Sequence, residues 1–125
     1  MIIGLGVDLF EVARMEEQLR EQGPDFGRGL FTPEEIAYCE GQRHPAQHYA
    51  VRFAAKEAVL KALGVAGRDG IHWREVEVRA EAEGGRQVLL HGRINELARG
   101  RGVSHILVSL SHTRALATAS VILES

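Results

Sequence analysis

Cysteine is almost absent. The single thiol, Cys39, allows no intrachain disulfide, fits a reducing compartment, and has no neighbours that argue for a nucleophile. Charge of one sign is also lacking: 15 basic residues face 17 acidic ones, a formal net of -2. That balance excludes a generally polycationic nucleic-acid binder. No apolar run approaches the roughly 20 residues needed to span a bilayer. The N-terminus Met1-Ile2-Ile3-Gly4-Leu5-Gly6-Val7-Asp8 has no basic leader and meets an acid too soon for a signal peptide. A cytoplasmic protein is expected, without membrane or nucleic-acid partners. Walker loop, dinucleotide fingerprint, paired-histidine zinc motif and nucleophile elbow are all missing. The six histidines (44, 48, 72, 91, 105 and 112) show no zinc-ligand spacing, and only His112 stands in a suggestive setting.

What is present is ordinary for a globular protein: 45% hydrophobic and 26% charged residues in 125, enough for one domain, 1–125, with a real core. Met1 to Leu9 reads as a buried strand, with Gly4 and Gly6 permitting close backbone approach. Asp8 falls at or near its end, where it serves as a helix N-cap, a ligand, or both. A first helix is expected over Phe10–Gln22, followed by a short segment from Asp25 to Phe31. Thr32-Pro33-Glu34-Glu35 then carries the capping-box signature of a helix ending near Gly41. Gln42 to Gln47 connects to a long central helix over Ala46–Leu63, closed by Gly64.

After a glycine-rich loop (65–70), Ile71–Ala80 alternates as a strand with imperfect register around Arg74-Glu75. The turn Glu83-Gly84-Gly85-Arg86 joins it to Gln87–His91 as a hairpin. A short helix over Ile94–Arg101 precedes two β-rich segments, Val103–Ser111 and Ala115–Leu123. His112-Thr113-Arg114 makes these a second hairpin. Strand, then helices, then strands implies an α+β fold with an antiparallel sheet.

The candidate chemistry centres on Arg52-Phe53-Ala54-Ala55-Lys56-Glu57-Ala58-Val59-Leu60-Lys61. Phe53, Leu60 and Leu63 give this helix its apolar stripe. Glu57 and Lys61, four residues apart, project as neighbours. They are either a surface ion pair or, if Asp8 meets them, part of a site. Two carboxylates from a strand and a helix suit a Mg²⁺ that completes its shell with substrate phosphates, and Lys61 would face the same phosphate charge. Ser109-Leu110-Ser111-His112-Thr113-Arg114 concentrates hydroxyls, an imidazole and a guanidinium. That segment is a hairpin tip or an anion-binding rim.

The ordered motifs Gly4-Leu5-Gly6-Val7-Asp8, Arg52-Phe53-Ala54-Ala55-Lys56-Glu57-Ala58 with Lys61-Ala62, and Ser109-Leu110-Ser111-His112-Thr113 resemble the holo-acyl-carrier-protein synthases. These are the small, group I 4′-phosphopantetheinyl transferases. The resemblance covers essentially the whole chain, including Leu30-Phe31-Thr32 and Gly70-Ile71. No diagnostic match falls between His44 and His48 or in the turn from Gly84 to Gln87, where a proline common in the family is absent after Arg86.

The resemblance implies the 4′-phosphopantetheinyl transferase fold. It also implies transfer of the 4′-phosphopantetheine arm of coenzyme A to a serine of apo acyl carrier protein, in fatty acid biosynthesis, with release of adenosine 3′,5′-bisphosphate. By position, Asp8 and Glu57 would be Mg²⁺ ligands, and Lys61 would stabilise or protonate the departing phosphate. Glu57, or a water it holds, would take the serine proton. Arg52, Ser111, His112 and Thr113 would contact the nucleotide and its phosphates. A homotrimer with coenzyme A between neighbouring subunits is implied. Arg14 and Arg20, otherwise part of a solvated face, would dock the acidic carrier protein. Two other readings stand beside this one: a non-catalytic module of the same fold that binds coenzyme A or carrier protein, and a purely structural role for Glu57, Lys61 and Asp8.

Overall fold

The structure is a computed structural model that describes residues 1–65 and 72–125. The expected loop from Val65 to Gly70 and the strand start at Ile71 lie, apart from Val65, outside the described residues. Strand β1 (Ile2–Glu11) is followed by four helices: α1 (Val12–Gln22), α2 (Pro24–Leu30), α3 (Pro33–Glu40) and α4 (Pro45–Ala62). After a 3₁₀ turn at Trp73–Glu75 come β2 (Val76–Ala80), β3 (Arg86–Leu90), α5 (Gly92–Gly100), β4 (His105–His112) and β5 (Leu116–Glu124). The strands form two antiparallel sheets, one ordered β1-β5-β4 and the other β2-β3. The architecture is α+β with antiparallel sheets.

Local chemistry accounts for several boundaries. Thr32 Oγ1 accepts from Glu35 N at 3.2 Å, and Glu35 Oε1 accepts from Thr32 N at 2.9 Å, completing the expected capping box. Pro24 opens α2 across the segment 25–31, where the sequence had only a short connection. The imperfect register near Arg74-Glu75 is the 3₁₀ turn, so β2 starts at Val76. Strand β1 does not stop near Asp8: Leu9, Phe10 and Glu11 continue the ladder opposite Thr118, Ala117 and Leu116. Asp8 is therefore mid-strand, and the α1 N-cap is Glu11, which makes no side-chain capping bond.

Helix α4, 18 residues long, packs on one face of the three-stranded sheet through Ala54, Ala55, Ala58, Val59 and Leu60. Val121, Leu123 and Ala119 of β5 complete that core. A second apolar cluster joins Val12, Met15, Phe31, Tyr49 and Val51. The buried-strand expectation for β1 needs correction. Gly6 is buried, but Leu5, Val7 and Leu9 on the opposite face are 66%, 55% and 62% exposed. Residues alternate across a strand, and one chain covers only one side of this one.

Two charges of α4 are fully buried. Lys56, 0% exposed, donates to Glu35 Oε1 at 2.8 Å, to Trp73 O at 3.2 Å and to Val76 O. The other oxygen of Glu35 accepts from Val78 N at 2.9 Å. The ion pair thus satisfies backbone groups along the free edge of β2 and docks the hairpin onto the helices. The sequence marks Lys56 as part of a motif but gives no sign of its burial.

Candidate active site

The site begins with two glycines. A Cβ on Gly6 would lie 1.9 Å from the Ala58 carbonyl oxygen, and one on Gly4 would lie 2.6 Å from that of Ala62. Without them, β1 could not lie against the last turns of α4. Asp8 is two residues beyond Gly6 and shares its face. It meets Lys61 across 53 residues of sequence: Lys61 Nζ donates to Asp8 Oδ1 at 2.6 Å and to Val7 O at 3.3 Å. Among the described residues Lys61 pairs with Asp8 and not with Glu57, so the helix-surface ion pair does not form. The hydrogen bond to Asp8 holds the Lys61 ammonium above the usual lysine range.

Glu57 is held above the usual carboxylate range, first by burial and then by the negative charge of Asp8, with Lys61 acting in the opposite direction. A cation between the two carboxylates would offset the effect of the Asp8 charge on Glu57. Among the described residues no group of three or more His, Cys, Asp or Glu side chains could hold a metal. A two-carboxylate donor set fits Mg²⁺, which keeps waters and substrate oxygens, and does not fit a closed structural zinc site.

A second cluster surrounds Arg52, which is 1% exposed. Its guanidinium lies 4.2 Å from the Tyr38 ring centre, and one Nη donates to His48 O at 3.4 Å. Among the described residues Nε and the other Nη are buried with no hydrogen-bond partner. The His48 ring sits 5.3 Å from that of His112 and 5.8 Å from that of Tyr38. Arg86 donates to the Tyr38 hydroxyl at 3.0 Å. His48, Tyr38 and Arg86 were not anticipated. His48 could have been found, since it lies one helical turn before Arg52.

The remaining candidates separate. Ser111 is exposed and adjacent to His112 on β4, so the two side chains leave opposite faces of the sheet. Thr113 Oγ1 is engaged in its own turn, accepting from Ala115 N at 3.2 Å and Leu116 N at 3.1 Å. Arg14 lies 5.1 Å over the Phe10 ring, which packs edge-on against Phe53, itself 5.2 Å from Trp73. Arg20 is six residues further along α1, so it projects about 120° away from Arg14. Cys39 is buried and its thiol is pushed up to about 12 by burial, as expected of an inert thiol. Among the described residues no helix is long and apolar enough to cross a membrane.

This fold and carboxylate pair can be set beside known proteins. A family model described as the 4′-phosphopantetheinyl transferase superfamily matches residues 4–119. A holo-(acyl-carrier-protein) synthase of Geobacter sp. (strain M21) is 47% identical over 124 residues, covering 99% of both chains. Among solved structures, the holo-(acyl-carrier-protein) synthase of Neisseria meningitidis superposes with a TM-score of 0.91 at 28% identity, covering 100% of each chain. That of Bacillus anthracis, in complex with CoA (3′,5′-ADP), gives 0.82 at 29% identity, over 100% of this chain and 98% of that one. The chain belongs to the 4′-phosphopantetheinyl transferase superfamily and, within it, to the holo-(acyl-carrier-protein) synthases.

Proposed function

We propose that this single-domain protein transfers 4′-phosphopantetheine from coenzyme A to a serine of apo acyl carrier protein, with Mg²⁺, in the cytoplasm and in the service of fatty acid biosynthesis. The observation that carries the reading is the meeting of Asp8, Glu57 and Lys61 over the glycine-lined crossing of β1 and α4. Asp8 and Glu57 would hold Mg²⁺, which would neutralise charge developing on the pyrophosphate. The serine oxygen forms a bond to the β-phosphorus as the bond to the bridging oxygen breaks, and adenosine 3′,5′-bisphosphate departs. Glu57, or a water it orients, receives the serine proton. Lys61 keeps its ammonium beside Asp8 and faces the leaving phosphate. Arg52, Ser111, His112 and Thr113 are proposed for the nucleotide, and Arg14 with Arg20 for the acidic carrier.

A homotrimer with sites between subunits is part of the same proposal, and two features support it. Leu5, Val7, Leu9 and Leu107 leave an apolar sheet face uncovered. Arg52 and Glu57 are five residues apart on α4, so their side chains diverge by about 140° and cannot both front one small ligand easily within one chain. Ser111, turned away from His112, would then serve a neighbour.

The test is the mass of apo acyl carrier protein after incubation with this protein, coenzyme A and Mg²⁺. A gain of one phosphopantetheine, lost on chelation and with Glu57→Gln, supports the reading. Saturable coenzyme A binding with no transfer to any carrier would replace it with the non-catalytic module. Neither binding nor transfer would leave the structural role.

A further inference from the structure

The Arg52 cluster has a feature that anion binding alone does not use: an imidazole, His48, half-buried among cations and other imidazoles. We propose that His48 takes up a proton when a phosphate monoester enters this cluster, so that recognition of that phosphate is proton-coupled. The inference rests on the proposed coenzyme A reading and deepens it. Coenzyme A carries two phosphate loci. The pyrophosphate belongs with the carboxylates and their metal, on the other side of α4. The terminal phosphomonoester is left for a site with cations and no metal ligands.

The groups facing His48 come from every element around it. They are Tyr38 on α3, His44 and Arg52 at the start and middle of α4, Arg86 on β3 and His112 at the end of β4. Each of these that is charged or titrates as a base is a guanidinium or an imidazole. Burial lowers the proton affinity of His48, and the charges of Arg52, His112, Arg86 and His44 lower it further. Arg52 is buried beside it, its Nε and one Nη without a hydrogen-bond partner among the described residues, so an entering acceptor would relieve a real cost. A phosphate dianion reverses the sign of the local field. The bound anion then favours the charged imidazole, and the new N–H becomes a charge-assisted donor. The sign separates this from ionisation of the ligand itself: a phosphomonoester drawn into a cationic site releases protons, whereas His48 takes one up.

Calorimetric titration of coenzyme A into the full chain, without metal, in buffers of different ionisation enthalpy at pH 7.5 reads the proton directly. Uptake approaching one proton per site is expected, with affinity strengthening by up to about tenfold per pH unit on acidification between the free and bound midpoints. His48→Phe should bind coenzyme A without the uptake, and dephospho-coenzyme A should bind the native chain weakly and without it. The His48 ring resonance, followed by NMR in the native chain, should titrate at higher pH with coenzyme A bound, whatever the folding of the variant. Proton release, no exchange, unchanged uptake in His48→Phe, or an unmoved His48 midpoint overturns the proposal. Failure of the native chain to bind coenzyme A at all would instead sink the functional reading beneath it.

Discussion

Replacing Lys56 by methionine tests the idea that a buried ion pair fixes the β2–β3 hairpin. The substitution roughly conserves volume but leaves Glu35 charged in a fully buried place, with only Thr32 N and Val78 N as donors. It also strips the Trp73 and Val76 carbonyls of their shared donor. Removing one partner of a buried pair typically costs about 3–5 kcal/mol. For 125 residues, an unfolding entropy of about 0.26 kcal/mol/K converts this into a melting point lower by about 11–19 °C. Thermal and urea unfolding of the metal-free protein, read by circular dichroism, measure it. Lys56→Met combined with Glu35→Gln should recover about 1–3 kcal/mol, because the uncompensated charge is gone while one acceptor remains. A loss below about 1 kcal/mol in the single variant, or no recovery in the double, would refute the edge-fixing role.

Gly6→Ala puts a methyl into the Ala58 carbonyl, so it should cost at least about 1–3 kcal/mol and cut transfer more than stability, by moving Asp8 from Lys61; denaturation beside a transfer assay would show it. Glu57, held above the usual carboxylate range, binds protons more tightly folded than unfolded. Its contribution to stability is therefore present at acid pH and lost as pH rises through its folded midpoint. At neutral pH, metal-free Glu57→Gln should melt higher than the native chain yet gain nothing from added Mg²⁺, an outcome that calorimetric scans with and without the ion would decide. Leu5→Lys, on the uncovered sheet face, should abolish self-association in sedimentation while circular dichroism stays native; an unchanged sedimentation coefficient would remove that face from assembly.

Much of the fold can be read locally. The Thr32 capping box, the glycine turn before β3 and the β-rich composition of β4 and β5 are short-range signals, and each produced its element. The misplaced features depend on partners distant in sequence. Strand β1 runs past Asp8 because β5 continues to pair with it, and no local rule announces that. Glu57 and Lys61 look like partners at helical spacing, yet Lys61 turns to an acid more than fifty residues away. Arg52 reads as a nucleotide contact and Lys56 only as part of a helical motif, and both are buried. Gly4 and Gly6 were legible as points of close approach, but what approaches them was not.

The chain has only two lysines, both on α4 and less than two turns apart. Lys56 is dissolved in protein, its ammonium pushed below the usual lysine range by burial, whereas Lys61 is half in water and pushed above it by Asp8. One helix thereby sorts two identical side chains into different reactivities. An amine-selective acylating reagent should find Lys61 and the N-terminal amine but pass over Lys56 until the protein unfolds. The extent of labelling at these two positions would then report separately on site occupancy and on the integrity of the fold.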